Sequence, residues 1–264
     1  MENTVFLETA VRLAQQAGDI IRERYGGNFE RGYKSGPSDL VTEVDRQVEE
    51  LITTGLRAEF PSHAVIGEEN DSARGDREPG EGCTWYVDPL DGTTNFVYSV
   101  PFFCVSIGLS CLGRLTVGVV YDPLRRELFT AESGRGTFLN GKPVQVDETR
   151  KNLSDALLVT GYPADKNYGE RLAGINYQKI IAGCSNLRAL GSAALELAYI
   201  SCGRLTGFWE NTLMPWDVAA GSLLVEEAGG KVTDLAGNPL ALRRYLSIAA
   251  SNGLIHHALL QSLS

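Results

Sequence analysis

Two short apolar runs that each end in acids limit the fold more than any other feature of this sequence. Ala64-Val65-Ile66 leads into Gly67-Glu68-Glu69, and Trp85-Tyr86-Val87 leads into Asp88-Pro89-Leu90-Asp91. Apolar runs this short, bounded by turn residues, predict buried strands rather than helices. Each delivers carboxylates at its C-terminal end. If the two strands are neighbours, their acids share one cleft, and like charges so placed are unfavourable without cations.

The remaining pattern surrounds these strands with helices and a second set of strands. Val5, Leu13, Ala14, Ala17, Ile20 and Ile21 recur at helical spacing, and Gly26-Gly27 stops the run. The polar stretch from Asn28 to Leu40, which contains Lys34, reads as a mobile loop. A second helix is predicted from about Thr42 to Phe60, with Val44, Val48, Leu51 and Ile52 on its buried stripe. Asp71 to Gly82 is polar and Gly-rich, a loop. Phe102 to Val146 reads as a run of antiparallel strands, with Asn140-Gly141 as a hairpin turn. After about residue 150, strands near 157–160, 187–190, 205–209 and 246–250 alternate with helices near 168–182, from Ser192 and from Trp216, before a terminal helix. The expectation is one layered α/β protein with a mostly antiparallel first sheet. Its two subdomains, about 1–150 and 151–264, share one cleft.

Bulk properties exclude several classes. The chain has 264 residues, ordinary hydrophobic and charged fractions, and a net charge of −9, which argues against direct nucleic-acid binding. Five scattered cysteines without C-x-x-C spacing predict neither a disulfide framework nor a thiolate zinc site, and they fit a reducing cytoplasm. No signal-peptide pattern is expected at the N-terminus, and no apolar stretch approaches the ~20 residues that span a bilayer.

Asp88-Pro89-Leu90-Asp91-Gly92-Thr93-Thr94 is the most informative segment. Its two carboxylates, three residues apart, can converge on one magnesium ion, which takes oxygen ligands in near-octahedral array, and the Leu90 carbonyl can add another. If a helical turn starts at Thr93, its backbone N–H groups can cradle a phosphate. Taken alone, the same residues make an ordinary turn with a capped helix. Glu68-Glu69 at the preceding strand end favours the metal reading. Asp217 stands where a helix begins, a place the macrodipole favours for any acid. Asp45 completes a capping-box pattern with Thr42, Gly191-Ser192-Ala193 opens a helix, and Lys34 sits in a polar loop.

Absences narrow the chemistry further. The three histidines, His63, His256 and His257, form no ligand-spaced pair, so a histidine phosphatase, a Ser-His-Asp triad and a His-rich zinc site all lack their parts. No D-x-D supplies an aspartyl nucleophile. Residues 136–143 nearly spell a phosphate-binding P-loop, but Pro143 replaces the final hydroxyl residue and the segment reads as a hairpin.

Three motifs in order give the sequence its resemblance: Ile66-Gly67-Glu68-Glu69, then Trp85-x-x-Asp88-Pro89-Leu90-Asp91-Gly92-Thr93-Thr94-Asn95-Phe96, then Trp216-Asp217-Val218-Ala219-Ala220-Gly221. The chain resembles the inositol monophosphatase family, nearly end to end, within the magnesium-dependent, lithium-sensitive phosphatases. That resemblance implies an α-β-α-β-α sandwich, commonly a homodimer. It implies two or three Mg²⁺ per site: Glu68, Asp88 and the Leu90 carbonyl on one ion, and Asp88, Asp91 and Asp217 on a second. Glu68 and Thr93 would activate the attacking water, with Asp45 supporting the water network. Gly92 and Thr93 would hold the phosphate, Gly191, Ser192, Ala193 and Glu210 would face the alcohol, and Lys34 would lie on a closing loop. The implied reaction is hydrolysis of inositol monophosphate or a similar small polyol phosphate by water, without a phosphoenzyme. Fructose 1,6-bisphosphate, histidinol phosphate and phosphorylated nucleotides are alternatives of the same chemistry. A regulatory, protein-binding role in transcription is the alternative of another class. Tyr98-Ser99 and Asn70 depart from the family pattern and bear on substrate preference.

Overall fold

The computed structural model describes residues 2–33, 40–69, 82–162 and 177–263. Lys34 and Asn70 lie outside the described residues. The helically spaced apolar residues form α1, Glu2–Arg24, and Gly26 lies just beyond it at φ 73°. The polar segment that follows is not all loop. Arg31–Tyr33 (β1) pairs antiparallel with Leu40–Thr42 (β2), because Leu40 and Val41 supply a half-buried strand for it to join. Helix α2, Glu43–Glu59, starts on the expected capping box. The Thr42 hydroxyl accepts from the Val44 N–H (3.1 Å) and the Asp45 N–H (3.4 Å), and the Asp45 carboxylate accepts from the Thr42 N–H (2.8 Å).

A seven-stranded sheet runs in chain order from β3 (Ala64–Gly67), β4 (Cys83–Asp91), β5 (Cys104–Cys111) and β6 (Arg114–Asp122) to β7 (Glu127–Glu132), β8 (Thr137–Leu139) and β9 (Lys142–Val144). Only β3 and β4 pair in parallel. Asn140 and Gly141, at φ 49° and 75°, make the tight turn between β8 and β9, so the P-loop look-alike is a hairpin. The second sheet has the order β11-β10-β12-β14-β13, from Leu157–Thr160 (β10), Asn186–Arg188 (β11), Gly207–Leu213 (β12), Lys231–Thr233 (β13) and Leu246–Ser251 (β14). The short β13 was not legible in the sequence. Of the helix predicted near 168–182, the described part is α4, Tyr177–Gly183.

Five layers result. Helices α1 and α2 cover one face of the first sheet, where Leu13, Ile21, Val48 and Ile52 pack with Trp85, Val87 and Ile107. Helices α5 (Ala193–Ser201) and α6 (Pro215–Glu227) fill the space between the two sheets. Both are apolar nearly all round, as a helix buried on two sides must be. Helices α4 and α7 (His256–Leu263) cover the outer face of the second sheet through Ile180, Leu259 and Leu263. The architecture is the α-β-α-β-α sandwich.

Two glycines set the depth of α6. Gly108 on β5 lies directly opposite Gly118 on β6. A Cβ at Gly108 would meet the Ala220 nitrogen at 2.8 Å, and one at Gly118 would meet the Ala220 carbonyl oxygen at 2.7 Å. The helix backbone therefore rests on the sheet itself.

One expectation is overturned. Cys83 and Cys111 form a disulfide. Their separation of 28 residues hides the pairing in the sequence, but the β4–β5 register places them opposite one another with Cα atoms 4.0 Å apart. Cys104, Cys184 and Cys202 are free. Among the described residues, no helix is long and apolar enough to cross a membrane. Gly118→Ala is expected to destabilise the fold by about 2 kcal/mol, because its new methyl meets helix backbone rather than a movable side chain. Urea unfolding and thermal melting check this, with a fall in Tm of roughly 4–8 °C.

Candidate active site

Strands β3 and β4 are neighbours, as the acid-terminated runs require. Gly67 pairs with Val87, and the Glu68 N–H donates to the Val87 carbonyl at 3.2 Å, so Glu68 stands at the level of Asp88. The end of β4 then departs from regular pairing. Asp88 lies opposite Ser106 but Asp91 lies opposite Cys104, which leaves one extra residue on β4. Such bulges re-aim side chains next to active sites. The buried Asp88 accepts the Leu90 N–H at 3.0 Å, closing a turn across Pro89. Gly92 follows at φ 99°, where a Cβ would meet the Phe102 carbonyl at 3.0 Å and the Gly191 carbonyl at 3.2 Å. The helical turn expected at Thr93 is present as α3, Thr93–Val97.

Asp45 serves both readings of it. One carboxylate oxygen closes the capping box, and the other accepts from the Thr93 hydroxyl at 2.8 Å. The Thr93 hydroxyl also lies 3.0 Å from the Leu90 carbonyl, so its single proton is shared between two acceptors of the site. Asp217 lies in the first turn of α6 and accepts the Met214 N–H at 2.7 Å. Glu210 reaches the same region from β12, which bulges between Glu210 and Leu213. Within that bulge Thr212 is held at φ 69° with its buried hydroxyl unpartnered, a strained position for a β-branched residue beside a functional site.

The loop 190–194 ties the second sheet's side to the first. Ser192 donates its hydroxyl to Asp91 at 2.7 Å, and the Ala194 N–H donates to the same oxygen at 2.7 Å. Ser192 and the first turn of α5 thus hold Asp91. Gly191, at φ 82°, packs against the Asn95 side chain. Three structural participants escaped the sequence reading. Glu49, one turn after Asp45 on α2, accepts the Glu69 N–H at 2.7 Å. Asn95 and Glu196 both grip the Leu190-Gly191 backbone. A lone acid at Glu196 within the apolar run Ala193–Ile200 was the visible signal.

Electrostatics show how these acids share one field. Burial pushes Asp91 up to about 6, against the Ser192 and Ala194 hydrogen bonds, and the Glu68 charge pushes it further. Burial also raises Asp217 well above the usual range, with the charges of Glu68 and Asp91 adding to it and the Met214 N–H opposing. Glu210 is raised by burial and then by the charges of Glu196 and Asp91. Among the described residues, no group of three His, Cys, Asp or Glu is arranged to hold a metal ion as it stands. The donors are nonetheless all oxygens, and buried carboxylates raise one another's pKa here. That is the chemistry of a site short of positive charge, and it fits a hard divalent cation.

The inositol monophosphatase family model matches residues 2–264. The chain belongs to the inositol monophosphatase family. It is 45% identical over 264 residues to inositol monophosphatase 3 of Solanum lycopersicum, covering 98% of this chain and 96% of that protein. It is 42% identical over 260 residues to Nus factor SuhB of Pseudomonas aeruginosa, covering 97% and 95%. The crystal structure of extragenic suppressor protein suhB from Bartonella henselae superposes with a TM-score of 0.88 at 38% identity, covering 98% of both chains. Membership supports phosphatase activity, and the family is magnesium-dependent in general.

A raised carboxyl binds its proton more tightly in the folded state, so stability grows as pH falls through its folded pKa. Between pH 8.5 and 6.5 this acts on Glu196, held up to about 8 by burial, and begins to act on Asp91 at about 6. The buried His256, lowered to about 4 by desolvation, works the other way, but only as pH falls below its unfolded value of 6.5. Metal-free protein is therefore expected to be about 1–2 kcal/mol more stable at pH 6.5 than at pH 8.5, measured by thermal melting. Added Mg²⁺ is expected to raise Tm more at pH 8.5 than at pH 6.5.

Proposed function

We propose that this protein is a magnesium-dependent phosphomonoesterase that hydrolyses inositol monophosphate, or a similar small polyol phosphate, to the alcohol and inorganic phosphate. One observation carries the reading: the Glu68 charge reaches both Asp91 and Asp217, the three acids coming from distant segments, beside the Asp45–Thr93 hydrogen bond. Family membership supports the same chemistry.

In this reading Glu68, Asp88, the Leu90 carbonyl, Asp91 and Asp217 hold two or three Mg²⁺. Bound Mg²⁺ would acidify the attacking water, neutralise the phosphoryl oxygens and stabilise the leaving alkoxide. The protein's own groups do the positioning. Thr93 donates its hydroxyl hydrogen bond to Asp45 or to the Leu90 carbonyl, which leaves its lone pairs to accept a hydrogen bond from the water. Glu68 takes the proton that water loses. The Gly92 and Thr93 N–H groups hold the phosphate. Glu210 and the Gly191-Ser192-Ala193 segment face the alcohol. With a net charge of −9, the protein would repel a phosphate dianion unless cations reverse the local field. We further propose a homodimer whose two subdomains, about 1–150 and 151–264, share the cleft.

A second reading rests on a different observation. Relatives over 40% identical are named Nus factor SuhB, and the Pseudomonas aeruginosa protein is matched over nearly its whole length. A protein-binding role in transcription is the function that name brings.

Assays across inositol monophosphate, fructose 1,6-bisphosphate, histidinol phosphate and a nucleotide phosphate, with and without Mg²⁺, rank the substrates by kcat/KM. Asp88→Asn is expected to lower kcat/KM by at least about 10²-fold on the preferred one. Undiminished phosphate release by metal-stripped protein or by Asp88→Asn would sink the magnesium-dependent reading. Full rescue of a deletion phenotype by the same variant would put the regulatory role first.

A further inference from the structure

Glu196 is almost fully buried on α5, yet the proposed chemistry gives it no part. One of its oxygens accepts from the Leu190 N–H at 2.8 Å and from the Gly191 N–H at 3.2 Å. The other oxygen is buried with no hydrogen-bond partner. Asn95 grips the same two residues from the opposite side. Its amide donates to the Leu190 carbonyl at 2.7 Å and lies 3.4 Å from the Gly191 carbonyl, while also donating to the Phe102 carbonyl at 2.7 Å. The Leu190-Gly191 backbone is thus held by its donors from α5 and by its acceptors from α3.

The next residues of that backbone, Ser192 and Ala194, hold Asp91. Asp91 and Asn95 belong to the same turn, so the hydrogen bonds close a ring: Asn95 to Leu190-Gly191, on to Ser192 and Ala194, and back through Asp91. Space enforces the ring as well. A Cβ on Gly92 would meet the Gly191 carbonyl at 3.2 Å, and a Cβ on Gly191 would meet the Asn95 side chain at 3.2 Å. Both glycines sit at positive φ, where side chains strain the backbone.

We propose that Glu196 and Asn95 are positioning residues that clamp Leu190-Gly191 between the two sheets, and so fix the orientation of Asp91 and the face presented to the alcohol. This rests on the phosphatase reading for its consequence but not for its geometry. Groups that orient a metal ligand from behind typically matter 10–100-fold in metal affinity or activity. Glu196 touches neither metal nor substrate. It acts through the loop.

The test compares Glu196→Ala with Glu196→Gln, in which an amide oxygen can still accept both N–H groups. Amide hydrogen exchange reads the clamp directly. Glu196→Ala is expected to lose protection at Leu190, Gly191 and Ala194, and Glu196→Gln to keep it. Mg²⁺ titration by calorimetry is expected to show binding at least about 10-fold weaker in Glu196→Ala and within about 3-fold of wild type in Glu196→Gln. The Mg²⁺ concentration for half-maximal phosphate release is expected to move in parallel. Unchanged protection in Glu196→Ala overturns the clamp. Lost protection with unchanged Mg²⁺ binding reduces Glu196 to a structural residue and overturns its positioning role. Should Glu196→Ala fail to fold, Asn95→Ala, on the more exposed side of the clamp, is expected to show the same losses. Wild-type protein that neither binds Mg²⁺ nor releases phosphate would instead refute the phosphatase reading, with the exchange data still deciding the clamp.

Discussion

The structure turns on the burial of like charges at the junction of two sheets. Glu68, Asp88, Asp91 and Asp217 come from three segments that the fold must bring within one another's field, and the burial of Asp91 and Asp217 keeps their pKa values high. A fold selected for stability alone would separate such groups, because desolvating a charge without a partner is among the largest unfavourable terms available. Three of the four acids are kept in place by hydrogen-bond donors: Leu90 N–H for Asp88, Ser192 and Ala194 for Asp91, Met214 N–H for Asp217. These bonds partly offset the desolvation, and a divalent cation would supply the rest.

Close packing holds the acids where hydrogen bonds alone would let them drift apart. Helix α6 reaches the sheet backbone through the Gly108–Gly118 gap, so Asp217 in its first turn has little freedom along or across the sheet. On the other side of α6, a Cβ at Gly221 would meet Leu197 of α5 at 2.6 Å. The two central helices are therefore in close contact, and the first turn of α5 holds Asp91. Dense interiors transmit strain rather than absorb it. Small residues far from the carboxylates thus control the spacing between them.

How much of this was legible in the sequence depends on the range of each interaction. The acid-terminated strands, the Thr42–Asp45 capping box, the Asn140-Gly141 hairpin and the start of α6 are local patterns, and the structure has them all. The β1–β2 pairing was missed because three-residue strands carry too little periodicity against a polar background. Cys83–Cys111 was missed because a count of cysteines cannot see a strand register. Asp45 read as a cap, and the structure has that cap on one carboxylate oxygen while the other accepts from the Thr93 hydroxyl. Glu49 and Glu196 had no motif to mark their roles, and Asn95 stood in the second motif without a role assigned to it. Glu49 and Asn95 act on backbone from distant elements, and single-sequence reasoning has no measure of that distance. Glu196 acts on backbone five and six residues before it and showed only as a lone acid in an apolar run.

The helices, more than the loops, govern the precision of the candidate site. Asp45 and Glu49 lie four residues apart on α2, on one face and both fully buried. Asp45 grips Thr93 in the turn after β4, and Glu49 grips the Glu69 N–H in the turn after β3. A Cβ at Gly67 would meet the Glu49 carboxylate at 2.6 Å, so this glycine lets the strand end approach the helix. One rigid element thereby sets the relative height of both acidic turns. Helix α5 does the same for Asp91 and the Leu190-Gly191 backbone, and α6 for Asp217. Sites built on such elements hold tighter tolerances than sites built on loops. Helices thus fix the geometry of the candidate site.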